Sequence, residues 1–126
     1  MKTLAVALLA ALAALAPHAS RACGACIEDK VAATYDHAVV ERAVAGGDVM
    51  VFCDISGPLD AARLKTATGR LRGVRPHSVR VSMQPAALSF AVDPRLQSPQ
   101  AAVDAAQRGL APGTHLAIVR VLAAAR

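Results

Sequence analysis

A buried strand that runs directly into a helix is predicted by residues 49–64, VMVFCDISGPLDAARL. Apolar side chains alternate with period two from Val49 to Ile55, which is typical of a strand. Gly57 and Pro58 end the strand and favour a helix with Pro58 at its first position and Asp60 in its first turn. The later segments can then be interpreted as packing partners of this strand–helix unit.

Residues 1–22 are predicted to be a secretory signal peptide. Lys2 precedes an unbroken apolar run over residues 4–16, which is too short to span a bilayer and has the length of a signal-peptide core. Ser20 and Ala22 permit cleavage before Cys23, and cleavage after Ala19 is an alternative. We therefore expect a periplasmic or secreted protein in an oxidising compartment. A lipoprotein acylated at Cys23 is an alternative that the residues before it disfavour.

The remaining chain has the size and charge of one small domain. From Cys23 onward it carries 12 Lys plus Arg against 9 Asp plus Glu, a net charge of +3. With two Phe, one Tyr and no Trp, its core must be aliphatic. A basic stretch over residues 63–80 contains no interleaved aromatic residues, so a nucleic-acid partner is not expected.

Periodicity and turn residues predict the other elements. In chain order we expect a helix at 27–45 ended by Gly46-Gly47, a strand at 49–55, a helix at 58–72, a hairpin of strands 78–82 and 87–93, a helix from Ser98-Pro99 to Arg108, and a strand at 114–122. This order predicts an α+β fold, a ferredoxin-like βαββαβ sandwich preceded by an extra N-terminal helix. The predicted segments are the signal peptide at 1–22, the CxxC motif and N-terminal helix at 23–47, and the domain at 48–126.

Alternation also predicts which side chains face the two domain helices. The predicted helix-facing set is Val49, Val51, Cys53, Ile55, Val79, Val81, Leu88, Phe90, Val92, Ala117, Val119 and Val121. The opposite face would carry Met50, Phe52, Arg80, Ser89, Leu116, Ile118 and Arg120. The second set is too apolar to remain in water, so we expect the N-terminal helix to cover it, with a homodimer through this open face as the alternative.

The predicted domain resembles the heavy-metal-associated domains of copper chaperones and metal-pumping ATPases. The resemblance covers about residues 49–110 and depends on the element order, on Gly73-Val74 after the first domain helix, and on VRVS followed by ALSFAVDP. It implies the ferredoxin-like fold. The family motif GMxCxxC is missing, because Gly57 and Asp60 stand where its thiols would be. Asp60 is too hard a ligand for copper(I), so metal transfer at this loop is not implied.

Cys23 and Cys26, in the sequence CGAC before the N-terminal helix, are the motif with a chemical mechanism. Two thiolates form a linear site suited to copper(I) or another soft ion, whereas zinc needs four ligands. Cys53 is the third candidate metal ligand, although its predicted face is opposite the N-terminal helix. His37 lies too far along that helix to join Cys26. A structural Cys23–Cys26 disulfide and thiol–disulfide exchange are the alternatives, with Glu28 and Asp29 opposing a reactive thiolate.

The sequence thus predicts a non-enzymatic, exported protein that binds a soft metal ion, with copper as the first expectation. The alternatives are an interaction module that docks a membrane transporter or another periplasmic protein, and a thiol-exchange module. No Ser/His/Asp arrangement, carboxylate pair or phosphate-binding loop is recognised in the sequence.

Overall fold

The computed structural model describes residues 26–125, so the predicted signal peptide and Cys23 lie outside the described residues. The described elements are, in chain order, α1 (Ile27–Thr34), α2 (His37–Ala45), β1 (Val49–Ser56), α3 (Ala61–Gly69), a short 3-10 helix (Pro76–Ser78), β2 (Arg80–Met83), β3 (Ala86–Val92), α4 (Pro99–Arg108) and β4 (His115–Leu122). The predicted α+β class is confirmed.

The four strands form one antiparallel sheet in the order β2-β3-β1-β4. The two central strands run side by side over six residue pairs, from Val49 opposite Val92 to Asp54 opposite Ala87. The predicted hairpin is confirmed as β2 and β3, which pair from Arg80 opposite Ser89 to Met83 opposite Ala86. This arrangement is compatible with a ferredoxin-like sandwich.

The N-terminal segment forms two helices, so the prediction of one helix over 27–45 was wrong. The chain leaves helical geometry at Tyr35 and Asp36, and the Asp36 carboxylate caps α2 by accepting a hydrogen bond from the Val39 N–H at 3.2 Å. Asp is one of the residues preferred at the N-cap position of a helix, and the apolar periodicity of the sequence does not show such a cap. The break changes the buried face, because Ile27 and Tyr35 are about half exposed while Lys30 is buried.

Both helices cover the sheet face that was predicted to need a cover. Met50 and Phe52 of β1 are buried there, together with Ala91 of β3 and with the side chains Val31, Val39, Val40 and Ala43 of the two helices. The Tyr35 ring stacks on the Phe52 ring with centroids 6.4 Å apart. The homodimer through this face stays a prediction that no observation tests, although the face is occupied within the chain.

The opposite face packs against α3 and α4 around the predicted β1 side chains. The buried members of this cluster are Val49, Val51, Cys53, Ile55, Leu64, Val74, Val79, Leu88, Phe90, Val92, Ala102 and Val103. Aliphatic side chains and one phenylalanine therefore form the larger core, as the composition predicts. Burial of each of its large apolar side chains contributes about 1.5–3 kcal/mol to stability before the entropy cost.

The predicted facing of β4 was wrong in its first half because the pairing of β4 with β1 is irregular. Phe52 lies opposite Arg120, but Cys53 lies opposite Ile118, so Val119 is an extra residue in β4. Such a bulge reverses the side-chain alternation. Leu116 and Ile118 consequently pack toward α3 and α4, whereas Val119 packs with Phe52 on the other face.

A further correction concerns Ala117, which was predicted, like Val121, to face the domain helices. Ala117 is exposed and pairs with Asp54, on the face opposite to Ile118. Val121 does pair with Val51 on the helix-facing side, but it lies at the edge of the sheet and is 45% exposed.

The first domain helix is shorter than predicted. Asp60 is its capping residue, accepting from the Arg63 N–H at 3.1 Å, and the helix spans Ala61–Gly69 rather than 58–72. The predicted boundaries of the second domain helix are confirmed, with the Ser98 hydroxyl accepting from the Ala101 N–H and Gly109 as the C-cap.

Candidate functional site

Cys26 is the N-cap residue of α1 and is half-buried. Glu28 and Asp29 occupy the first turn of the helix, and both are exposed. Backbone N–H groups at a helix N-terminus favour negative charge, so this position stabilises a thiolate. Cys23 precedes Cys26 by three residues and lies outside the described residues.

Arg120 is brought to this helix end by the sheet, which the sequence did not predict. Its guanidinium forms a two-pronged ion pair with the Glu28 carboxylate, and one of the two contacts is 3.2 Å long. The hydrogen bond from Arg120 lowers the pKa of Glu28 below its ordinary value. Because Arg120 offsets the Glu28 charge, the two acids of the first turn repel a thiolate at Cys26 less than they would without Arg120.

Lys30 fixes the position of α1 on the sheet. Its ammonium is 2.5 Å from a carboxylate oxygen of Asp54 in β1 and donates to the Ala86 carbonyl of β3 at 2.9 Å. The Lys30 side chain is 8% exposed, and its backbone N–H donates to the Cys26 carbonyl at 3.1 Å. One buried ammonium therefore ties the helix turn that follows Cys26 to two strands.

Cys53 is separated from Cys26 by the sheet. It is 1% exposed and belongs to the cluster under α3 and α4, while α1 covers the other face. Burial, with a smaller contribution from the neighbouring Asp54 charge, raises the pKa of the Cys53 thiol to about 12. A thiol that stays protonated at neutral pH is a poor metal ligand, since the thiolate is the ligating form.

Within residues 26–125 no three His, Cys, Asp or Glu side chains are grouped closely enough to hold a metal ion. His37, the other ligand considered from the sequence, is exposed at the start of α2 and lies 3.2 Å from Glu41. Cys23, the nearest cysteine to Cys26 in sequence, lies outside this range.

The loop between β1 and α3, where the resembled family carries its thiols, forms one wall of a mostly apolar cleft. The cleft has a volume of about 230 Å³ and is lined by Pro58, Leu59, Asp60, Arg63, Leu110, Ala111 and Thr114. The Thr114 hydroxyl donates to the Pro58 carbonyl. Gly57 has a φ of +86°, and a Cβ there would overlap the Gly113 carbonyl oxygen. This loop is held by close backbone packing, and its Asp60 caps a helix.

Charged side chains are distributed unevenly over the surface. Arg75 bonds Asp48 through two nitrogens at 2.8 and 3.1 Å, and Arg80 lies 3.4 Å from Asp36. By contrast, four cations on and just after α3 have no ion-pair partner among the described residues, namely Arg63, Lys65, Arg70 and Arg72. In the described part of the chain, the outer side of α3 therefore presents a basic surface.

Comparison with known proteins finds no matching family model, no matching curated protein and no matching solved structure. Among the described residues, none of the helices has the length and apolar character that crossing a bilayer requires.

Proposed function

We propose that this chain is a small exported protein that binds one soft metal ion, copper(I) in the first instance, through the thiolates of Cys23 and Cys26. The position of Cys26 at the N-cap of α1 is the observation that carries the proposal. A cysteine at this position gains thiolate character from the helix end, and Cys26 is only half-buried. The third thiol, Cys53, does not take part, because it is buried on the other side of the sheet.

Two thiolates with no further ligand favour copper(I), which accepts a linear pair, over zinc, which takes four ligands. Arg120 supports a thiolate at this helix end, since it offsets one of the two acids in the first turn.

The proposal includes the relation to heavy-metal-associated domains and the ferredoxin-like classification of the sheet and its two domain helices. The strand order and the antiparallel pairing support that classification. The metal ligands are then on the added N-terminal helix instead of the β1–α3 loop. The signal peptide over residues 1–22 delivers the protein to the periplasm or the exterior, where a membrane transporter would be its exchange partner.

Native mass spectrometry of the reduced, purified protein with one equivalent of copper(I) tests the proposal. We expect one copper per chain in the wild type and in Cys53→Ala, and none in Cys23→Ser or Cys26→Ser. Cys53→Ala is the matched control because it removes a thiol and keeps the CGAC pair. Copper retained by Cys23→Ser, or no copper on the reduced wild type, would refute the proposal.

A second candidate is a noncatalytic interaction module in which Cys23 and Cys26 form a structural disulfide. The unpaired cations of α3 favour it, because an acidic surface on a membrane protein would complement them. In that case the protein would be two hydrogens lighter than the reduced chain and would bind no metal without strong reductant. Binding to its partner would then weaken with salt and with Arg63→Ala/Arg70→Ala, and would be unchanged in Cys23→Ser. The remaining alternative, a thiol-exchange module, would instead require Cys23 and would show turnover of a disulfide substrate.

A further inference from the structure

The outer edge of β4 is the long open edge of the sheet. Within residues 26–125, β4 has one neighbouring strand, β1, and no strand lies on its other side. It is eight residues long, whereas the opposite edge strand β2 has four. An edge of this length presents a row of backbone N–H and C=O groups to which another strand can pair.

Gln107 of α4 identifies which backbone groups of β4 point outward. Its side-chain amide donates to the Thr114 carbonyl and accepts from the Leu116 N–H at 2.7 Å, as a neighbouring strand would. The Leu116 N–H therefore faces away from β1, and alternation gives Ile118 the same direction. Since Leu116 and Ile118 turn their backbone groups away from β1, their partners Ile55 and Cys53 bond toward β3, and alternation along β1 turns Phe52 and Met50 toward β4. Their partners Arg120 and Leu122 are then expected to bond to β1, which leaves the N–H and C=O of Val121 pointing outward.

The usual protections of an edge strand are weak in this segment. Edges are commonly guarded by charged side chains or proline, and the bulge is the structural guard that β4 retains. Beyond His115 its sequence, LAIVRVL, has no proline and a single charged residue, Arg120. That guanidinium is committed to Glu28 on the side of α1. Gln107 caps the start of the edge, and in residues 26–125 no side chain caps it from Ile118 onward.

The outward-facing residues are complementary to themselves. Ile118 pairs with Cys53 and Val121 pairs with Val51, so both side chains lie on the face of α3 and α4. If two β4 strands meet antiparallel about a two-fold axis between residues 119 and 120, Ile118 of each copy lies opposite Val121 of the other. Two cross-strand pairs of β-branched side chains then form on one face, each of the kind that stabilises sheets.

We propose that a second copy of this chain pairs with β4 in this antiparallel register and joins two four-stranded sheets into one of eight strands. The interface is isologous, since both copies use the same residues. It explains why Val121, an apolar side chain in a strand, is 45% exposed in the single chain. This dimer does not require the proposed metal site, although Arg120, next to the two-fold axis, pairs with Glu28 at the start of α1.

Sedimentation of the purified protein over a concentration series, with reductant and chelator present, tests the dimer without contributions from thiols or metal. We expect the wild type to shift from monomer to dimer with rising concentration. Val121→Lys should raise the dimer dissociation constant at least about tenfold, since each copy would place a charge opposite an apolar side chain. It should keep the monomer folded, because Val121 is exposed.

Two lysine variants at similarly exposed positions serve as controls. Leu96→Lys, at 46% exposure outside the sheet, and Met83→Lys, on the opposite edge strand, should dimerise like the wild type. Hydrogen exchange at the Ile118 and Val121 amides should slow as concentration rises. A wild type that stays monomeric up to about 1 mM, or weakening by Met83→Lys in place of Val121→Lys, would overturn the proposal. If the protein stays monomeric, the β4 edge would instead be available to pair with an extended segment of a different protein.

Discussion

Replacing Lys30 by Met is expected to loosen α1 from the sheet, because Lys30 makes a buried polar contact between them, in addition to the hydrogen bond from the Ser89 hydroxyl to the Thr34 carbonyl. Methionine keeps an unbranched side chain of similar length, so most of the packing of the Lys30 stem is preserved. The substitution removes the ammonium that bonds the Ala86 carbonyl and pairs with Asp54. The Lys30→Met variant therefore tests the contribution of the Lys30 charge separately from that of the size and shape of its side chain.

The solvent exposures of the Lys30 and Asp54 side chains determine how much stability each substitution is expected to remove. A hydrogen bond to a charged group is worth about 1.5–3 kcal/mol, but Met also avoids the desolvation of the ammonium, so we expect a net loss of about 1–2 kcal/mol. Asp54→Ala should cost more, about 2–3 kcal/mol. It leaves an ammonium that is 8% exposed with one carbonyl partner, whereas the Asp54 side chain that Lys30→Met leaves behind is 37% exposed overall, although the oxygen that faces Lys30 is buried.

Urea unfolding of both single variants and the double variant measures these free energies. The double variant should be less destabilised than the sum of the singles by about 1–2 kcal/mol, as expected for residues in contact. Lys65→Met, on the exposed part of α3, is the matched control and should lie within about 0.5 kcal/mol of the wild type. Additive losses, or a larger loss for Lys30→Met than for Asp54→Ala, would contradict the reasoning.

Three further outcomes are expected. Gly57→Ala should lower the free energy of unfolding by more than about 3 kcal/mol in chemical unfolding, because overlap of the new Cβ with a backbone carbonyl adds to the strain of a left-handed backbone. Gly47→Ala is the control: its φ is +82° but its Cβ would have open space, so it should cost only about 1–2 kcal/mol. Cys53 should resist iodoacetamide at pH 8 in the folded protein and react in denaturant, since its thiol is buried and its pKa is raised to about 12; labelling of the native thiol would contradict this. Hydrogen bonds from the α2 backbone lower the pKa of Asp36, so its stabilisation is present above its unfolded pKa and is lost as pH falls through the folded value, below about pH 4. Asp36→Ser should therefore reduce the loss of stability in acid, and an unchanged acid transition would argue against a role for this cap.

The fold was predictable where the sequence pattern is strictly local. Alternation in β1 and the Ser98 and Gly109 caps of α4 led to correct elements, because period and capping are read over a few residues. The bulge at Val119 was not predictable in this way, since it arises from pairing with β1 and leaves no mark on the composition of β4. The break at Tyr35 and Asp36 was not predicted, because the apolar periodicity runs across it and the capping role of Asp36 shows only in the structure.

The candidate site was predictable only in its cysteines. The CGAC motif and the helix after it could be read directly, and so could the loss of the family thiols at Gly57 and Asp60. Lys30 and Arg120 could not, because their partners are distant in sequence: Arg120 meets Glu28 across 92 residues, and Lys30 meets Ala86 across 56. Long-range ion pairs depend on the packed arrangement and carry no local signal.

The alternation of β1 also explains why Cys53 lies apart from Cys26. Residues 50 and 52 face α1 and α2, whereas residues 51, 53 and 55 face α3 and α4, so the position of Cys53 assigns its thiol to the larger core. A shift of the strand by one residue would reverse that assignment, but it would also turn Val51 and Ile55 away from the α3–α4 core that they fill. The packing that stabilises the domain thus keeps Cys53 apart from Cys26, and a metal site that uses Cys26 must be completed by residues on its own side of the sheet.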